Sequence, residues 1–240
     1  MPRGLGRGRA PGGDWFDSFR TWGEAPGGGG YAIPPMPRPK TPHRLATDTD
    51  NGMLLIISGP SGVGKTTITR AIERSIPDAV FSVSATTRPR TDVDVDGVDY
   101  HFIGEEEFKR REAAGEFLET AVYAGNRYGT LRGPVEAQLA RGRLMILEID
   151  VQGAKNVKAK KPDAFAVFIE PPSEEALLER LRSRKREAEE VIQRRYELGK
   201  HEIAEAHQCG AYDVFLVNDN LDKTIELAIR TVRERRSGKR

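Results

Sequence analysis

The sequence lacks several features that would place it in whole classes of protein. Its one cysteine, Cys209, cannot form a disulfide within the chain, which suits a reducing compartment such as the cytoplasm. No apolar run approaches the ~18 residues of a membrane span. The formal net charge is only +2, from 38 basic and 36 acidic residues. This balance argues against nonspecific nucleic-acid binding as the main task.

Residues 1–50 differ in composition from the rest of the chain. They hold ten of the 25 glycines and eight of the 15 prolines. Few residues there could build a core, so we expect a disordered extension ahead of one domain at 51–240. Aromatic side chains within 14–22 would share one helical face, which leaves a partner-binding segment open. A later start of translation, at Met36 or Met53, also remains open.

The most informative motif is a glycine-rich loop that fits the pattern G-x-x-x-x-G-K-[ST]. It follows an apolar run at 53–57 and precedes a helix-like stretch at 66–73, which is the setting of a phosphate-binding loop. Its backbone N–H groups can turn towards phosphate oxygens, and Lys65 can reach the β- and γ-phosphates. The Thr66 hydroxyl can help to hold Mg²⁺. The chain is therefore predicted to bind a nucleoside triphosphate through Gly59, Pro60, Ser61, Gly62, Val63, Gly64, Lys65, Thr66 and Thr67.

Beyond this loop, apolar runs of strand length alternate with helical stretches. The runs lie at 79–83, 144–149, 164–169 and 213–217, and the helical stretches lie near 131–141, 173–183, 189–207 and 220–235. The alternation predicts an α/β fold with a parallel sheet flanked by helices and with ligands at the carboxyl ends of the strands.

Two segments interrupt the alternation. Residues 85–130 predict an insertion with short strands near 100–103 and within 116–128 and one helix near 105–114. Residues 182–190 are densely charged, and they indicate either a solvated helix face or a mobile lid that brings arginines onto phosphates.

Further motifs, in order along residues 53–236, resemble the guanylate kinase family. They are Phe-Ser-Val-Ser-Ala-Thr-Thr-Arg at 81–88, Asp-Gly-Val-Asp-Tyr at 96–100, Gly-Glu-Phe-Leu-Glu at 115–119, Gly-Asn-Arg-Tyr-Gly-Thr at 125–130, Leu-Glu-Ile-Asp-Val-Gln-Gly at 147–153, Pro-Pro-Ser at 171–173 and Val-Asn-Asp at 217–219. The resemblance implies a P-loop nucleoside monophosphate kinase fold and an ATP-dependent transfer of phosphate to GMP, giving ADP and GDP. It also implies a core at 51–84 and 131–240, a GMP-binding insertion at about 85–130 and a lid at about 182–195.

The resemblance assigns roles to individual residues. Glu119 would accept from guanine N1 and N2, and the hydroxyls of Ser84 and Thr130 would donate to the O6 and N7 edges. The implied GMP residues are Ser84, Arg88, Arg90, Tyr100, Glu119, Tyr128, Thr130, Glu148 and Asp150. The implied catalytic residues are Lys65, Arg88, Arg184 and Arg195. Arg180, Asn218 and Asp219 would join the loop in binding ATP, and Mg²⁺ would bind Thr66 and the nucleotide phosphates.

The loop after Arg88 departs from the family pattern. Arg90 comes one position earlier than the family's second phosphate arginine, and Thr91 stands in its place. Asp94 stands where the family has Glu. Either the loop shifts so that Arg90 reaches the phosphate of GMP, or that contact is lost. A smaller departure is Glu148, which stands where many members have Asp.

Other functions are compatible with parts of this pattern. A noncatalytic guanylate-kinase-like interaction module would keep the fold without turnover. A kinase of another small phosphorylated acceptor would share the loop, as would a P-loop GTPase, although the GTPase reading gives the acceptor motifs no purpose. The sequence leaves the oligomeric state open, including a homo-oligomer.

Overall fold

The computed structural model describes residues 52–123, 125–183 and 188–238. The predicted extension at 1–50 and the predicted catalytic residue Arg184 therefore lie outside the described residues. Within these ranges the strands are β1 (Met53–Ser58), β2 (Ala79–Phe81), β3 (Ala85–Thr86), β4 (His101–Phe102), β5 (Phe117–Tyr123), β6 (Asn126–Leu131), β7 (Leu144–Glu148), β8 (Phe165–Glu170) and β9 (Val214–Val217). The helices are α1 (Lys65–Ser75), α2 (Glu105–Ala113), α3 (Arg132–Ala140), α4 (Val151–Lys160), α5 (Glu174–Ser183), α6 (Glu189–Cys209) and α7 (Leu221–Arg236).

A parallel five-stranded sheet forms the centre of the core, with the order β2-β7-β1-β8-β9. Its middle strand β1 is almost wholly apolar because helices cover both faces of the sheet. Successive side chains of β1 point to opposite faces. Leu55 and Ile57 pack with residues of α1 and α7, whereas Leu54 and Ile56 pack with residues of α3 and α4. The fold class is therefore the predicted one, an α/β fold with a parallel sheet flanked by helices.

A smaller four-stranded sheet, β4-β3-β6-β5, lies between β2 and β7 along the chain. Its own core is built from aromatic rings. Phe108 of α2 stacks on Phe117 of β5 with ring centroids 4.5 Å apart, and Ala85 and Leu131 complete this cluster. The site described below therefore receives side chains from two separately packed sheets.

Most of the predicted elements are confirmed within a residue or two. The strands predicted within 116–128 are an antiparallel pair, β5 and β6, which extends to Leu131. Helix α4 was not anticipated: it starts after Asp150, whose carboxylate caps it by accepting from the Gly153 N–H at 2.7 Å. In the described residues, no helix is long and apolar enough to cross a membrane.

We predict that Gly129→Ala destabilises the smaller sheet. A Cβ at this position would lie 2.8 Å from Phe117 Cδ1 and 3.1 Å from Phe108 Cζ, and both rings are buried. Overpacking of this kind costs about 1–3 kcal/mol of unfolding free energy, which urea denaturation measures.

Gly133→Ala is the matched control, because a Cβ there has no neighbour within 4 Å and Gly133 lies in α3. Alanine favours a helix, so this variant should be neutral or slightly stabilised. Equal stability of the two variants would contradict the packing described here.

Candidate active site

The loop at 59–66 connects β1 to α1 and is shaped by glycine. Gly59, Gly62 and Gly64 have φ values of 148°, 90° and 104°, which side chains disfavour. At Gly59 there is also no room, because a Cβ would lie 2.3 Å from the carbonyl oxygen of Ile169. The backbone can therefore close around a ligand at the N-terminus of α1, where the helix dipole and the backbone N–H groups favour an anion.

Both chemically active side chains of the loop have defined partners. The Lys65 ammonium donates to the carbonyl oxygens of Gly59 at 2.6 Å and Pro60 at 3.1 Å. The Thr66 hydroxyl donates to Glu148 Oε1 at 2.7 Å, and Glu148 is the last residue of β7. These contacts hold Lys65 across the mouth of the loop and direct Thr66 towards the carboxyl end of the neighbouring strand.

Two predicted ATP residues support the loop from behind. Asn218 is buried, and its amide donates to the carbonyl oxygen of Val63 at 2.7 Å. Arg180 donates in turn to the carbonyl oxygen of Asn218 at 2.6 Å. Asp219 is exposed beside them, and its carboxylate accepts from the N–H of Asn220. In this structure Asn218 and Arg180 thus fix the loop to the end of β9.

A cavity of about 260 Å³ opens where β1 and β7 end. Nine of the predicted residues line it: Gly59, Ser61, Lys65, Ser84, Tyr100, Glu119, Tyr128, Glu148 and Asp150. Four residues that were not predicted line it as well: Ala121, Tyr123, Ile149 and Glu202. Among the described residues of this lining Lys65 is the one cation, and it faces four carboxylates.

Glu119 is the most buried of these carboxylates, with 5% of its surface exposed. Its Oε1 accepts from the Thr130 hydroxyl at 2.6 Å and from the Thr130 N–H at 3.1 Å. Burial raises the pKa of Glu119, and the nearby charge of Asp150 raises it further, whereas the Thr130 hydrogen bond lowers it. The Thr130 hydroxyl, expected to meet a ligand, therefore holds Glu119 in place in this structure.

Arg88 forms a second polar cluster with two tyrosines. Its guanidinium lies 5.4 Å from the ring centroid of Tyr100, whose ring meets that of Tyr128 edge to face at 5.6 Å. Arg88 also makes a forked ion pair with Asp94, with N–O distances of 2.9 and 3.0 Å. This pairing lowers the pKa of Asp94 and raises that of Arg88.

The altered loop after Arg88 is organised around Asp94. Thr91, which replaces the family's second arginine, donates its N–H and its hydroxyl to the Asp94 carboxylate at 2.8 and 2.7 Å. Arg90 donates through Nε to the backbone carbonyl of Asp94 at 2.9 Å and is exposed. Arg90 is thus tied to the same loop as Arg88, although it does not line the cavity.

Helix α6 closes the cavity from the remaining side. Arg195, which was predicted, donates to the Ser61 hydroxyl of the loop. Glu202, which was not predicted, is half-buried and faces the same cavity. Its spacing of seven residues from Arg195 places both on one helical face, and this was the signal in the sequence that could have found it.

This loop, placed between a parallel strand and a helix at the carboxyl edge of the sheet, defines a phosphate-loop nucleotide-binding protein. Comparisons with known proteins narrow the class. The family model described as guanylate kinase matches residues 51–234. A guanylate kinase of Thermobifida fusca is 47% identical over 173 residues, which are 72% of this chain and 87% of the relative. One of Thermosynechococcus vestitus is 48% identical over 174 residues, covering 72% and 90%.

A solved structure agrees with the sequence relatives. The crystal structure of guanylate kinase from Anaplasma phagocytophilum matches with a TM-score of 0.62 and 30% identity, over 80% of this chain and 89% of that one. This chain belongs to the guanylate kinase family.

We predict that Asn218→Leu loosens the phosphate loop. The change leaves the Val63 carbonyl without the buried amide that donates to it, and such a loss costs about 1–3 kcal/mol of stability. Urea denaturation and nucleotide titration should show lower stability and weaker ATP binding. Asn156→Leu is the control, since the Asn156 amide oxygen accepts from Gln152 at the exposed surface of α4. Unaltered ATP affinity in Asn218→Leu would disprove the supporting role.

Proposed function

We propose that this protein transfers the γ-phosphoryl group of ATP to GMP, giving ADP and GDP. One observation carries the proposal: a single cavity joins the phosphate loop, through Lys65 and Ser61, to the buried carboxylate of Glu119. A loop of this kind holds the donor phosphates. A buried carboxylate at the other end of the cavity suits a base that presents two adjacent N–H donors, as guanine does at N1 and N2.

The base would be selected through hydrogen bonds to side chains of the cavity wall. Glu119 offers Oε2 to guanine while Oε1 stays with Thr130. Asp150 lies beside it at the start of α4, and Ser84 lines the same cavity. Adenine lacks the N1 hydrogen and would leave Oε2 of the buried Glu119 without that donor. A site built on such hydrogen bonds rejects the wrong analogue by about 10⁴-fold.

The acceptor phosphate is held by the cluster around Arg88. A guanidinium has five N–H donors in a planar fork, so Arg88 can keep Asp94 and still bind a phosphate oxygen. Tyr100 and Tyr128 add hydroxyl groups from the cavity wall. Arg90, tied through Asp94 to the same loop, supplies a second positive charge there.

The transfer itself depends on positioning and charge, with little covalent chemistry for the protein to do. Lys65 would leave the loop carbonyls and follow the transferred phosphoryl group. Arg195 approaches the loop from α6 at Ser61 and would neutralise charge on the donor phosphates. Arg184 joins them in this proposal from the lid at about 182–195, and closure of that lid would exclude water as a competing acceptor.

A magnesium ion fits the oxygen ligands near the loop. Mg²⁺ is commonly bound by one or two protein oxygens and by substrate phosphates. The described residues contain no cluster of three or more His, Cys, Asp or Glu side chains suited to a metal, so the phosphates would complete the site. Thr66 supplies the hydroxyl, and Glu148 orients it. Glu148 Oε2 is buried without a hydrogen-bond partner in the structure, which suits a water molecule of the ion's shell. The ion would neutralise charge on the β- and γ-phosphates.

We further infer that the protein acts in purine nucleotide metabolism in the cytoplasm, where GMP is recycled. The smaller sheet is then the GMP-binding insertion, and the parallel sheet with its phosphate loop is the ATP-binding core. No nucleic acid or membrane takes part in this reaction, and the substrates are the only partners that it requires.

An ADP-release assay tests the proposal directly. The protein is supplied with ATP and Mg²⁺ and with GMP, AMP, CMP or UMP in turn. We expect ADP release with GMP and with none of the other three monophosphates. Turnover with another monophosphate would point to a different acceptor. ATP binding without turnover on any acceptor would favour the noncatalytic interaction module.

We predict that Glu119→Ala raises the KM for GMP by about 10- to 100-fold, because hydrogen bonds to a charged group are worth about 1.5–3 kcal/mol. Discrimination against AMP should fall as well, since the buried carboxylate that rejects adenine is gone. Steady-state kinetics on both nucleotides measure these effects. Glu116→Ala is the control, because Glu116 is exposed next to the same strand. Unchanged GMP kinetics in Glu119→Ala would remove the assigned role.

A further inference from the structure

Helix α6 packs directly on the phosphate loop along one face. Gly199 is buried in this contact, and a Cβ placed there would lie 3.1 Å from Pro60 Cβ and 3.0 Å from Leu177 Cδ2. Arg195 lies four residues before Gly199 and Glu202 three residues after it, so all three share the face that meets the loop. Glycine at the closest point allows the helix to approach the loop without a side chain between them.

This packing brings opposite charges of α6 to the loop and its cavity. Arg195 donates to the Ser61 hydroxyl of the loop. Glu202 faces the cavity, in a lining that also contains Gly59, Ser61, Lys65 and Asp150. Lys65 is the cation of that lining, and its ammonium lies at the Gly59 and Pro60 carbonyls. Glu202 and the nucleotide phosphates would therefore compete for the same ammonium group.

We propose that Glu202 is a positioning residue for Lys65: neutral, it leaves the ammonium to the ATP phosphates, and ionised, it draws the ammonium away from them. This inference rests on the proposed function, because it assigns ATP phosphates to the loop. Glu202 lies on the same helical face as Arg195 and lines the same cavity as Ser61 and Lys65 of the phosphate loop. An ionised carboxylate there also repels the phosphates directly, so both effects favour the neutral form when ATP is bound.

The surroundings of Glu202 place its change from the neutral to the ionised form near neutral pH. Burial raises its pKa to about 7; the charge of Lys65 opposes the rise, and Asp150 and Glu205 add to it. The charged and titratable groups around it are Lys65 of α1, Asp150 at the start of α4, Tyr123 of β5, Tyr212 before β9, and Arg195 and Glu205 of α6 itself.

The sign of the effect follows from this raised pKa. Below about pH 7 Glu202 holds its proton, and above it the carboxylate forms. If ATP binds the neutral form, its apparent dissociation constant rises as the neutral fraction falls. Between pH 6 and pH 8 that fraction drops by about tenfold, and the affinity should drop with it.

The test measures ATP binding by titration calorimetry at pH 6, 7 and 8 in the whole chain, without GMP. Wild type should lose up to about tenfold in affinity across this range beyond the change that the titration of ATP itself causes. Glu202→Gln mimics the neutral form, so it should bind at pH 8 about as tightly as at pH 6 and take up fewer protons on binding than wild type. Glu197→Gln is the matched control: Glu197 lies on α6, pairs with Lys200 at the surface and should leave the wild-type profile unchanged.

Each outcome bears on one claim. The same decline with pH in Glu202→Gln as in wild type would overturn the proposal, and so would weaker binding by this variant at pH 6. Thermal unfolding confirms that the variant is folded. Glu202→Gln could gain more in melting temperature at pH 8 than at pH 6 and still keep the wild-type ATP profile. Glu202 would then be a buried acid with no positioning role, and this result would also overturn the proposal. The titration contains no GMP, so it tests the role of Glu202 in ATP binding alone. The proposed function is rejected by a different result, the failure of wild type to turn over GMP.

Discussion

The close approach of the phosphate loop to the strand beside it is the constraint on which the site depends. Gly59 passes so near the Ile169 carbonyl that no side chain fits between them. The loop is thereby fixed against β8, and the bond from Asn218 to Val63 fixes its far side. Other groups of the site are placed relative to this loop: Thr66 meets Glu148 at the end of β7, and α6 lies across the cavity.

Chemistry is divided between the two sheets according to their strand arrangement. The parallel sheet ends in a row of loops and helix starts, whose backbone N–H groups favour anions. The antiparallel pair of the smaller sheet instead presents side chains from the middle of its strands, such as Glu119, which Thr130 on the neighbouring strand holds in place. In the proposed function, one sheet recognises phosphate at the ends of its strands and the other recognises the base through side chains of its face.

The sequence predicts the fold and most of the cavity because their signals are local. Apolar runs mark β1, β7 and β8, and the loop motif marks the phosphate site. Helix α4 escapes notice because its apolar positions are few and its start depends on the Asp150 cap. Glu202 is missed because its place at the cavity depends on the packing of α6 on the loop. That packing includes the contact of Gly199 with Pro60, which are 139 positions apart. Arg90 likewise has no role readable from spacing, since Asp94 and Thr91 rebuild its loop by hydrogen bonds.

Asp150 performs two tasks with one carboxyl group. One oxygen completes the first turn of α4 by accepting from the Gly153 N–H, and the same side chain lines the cavity beside Glu119. Under the proposed function, the start of a structural helix and the reading of the base therefore depend on one side chain. A lineage that altered base preference through this position would have to replace the cap at the same step, so the architecture favours changes of specificity at Glu119 or Ser84 instead.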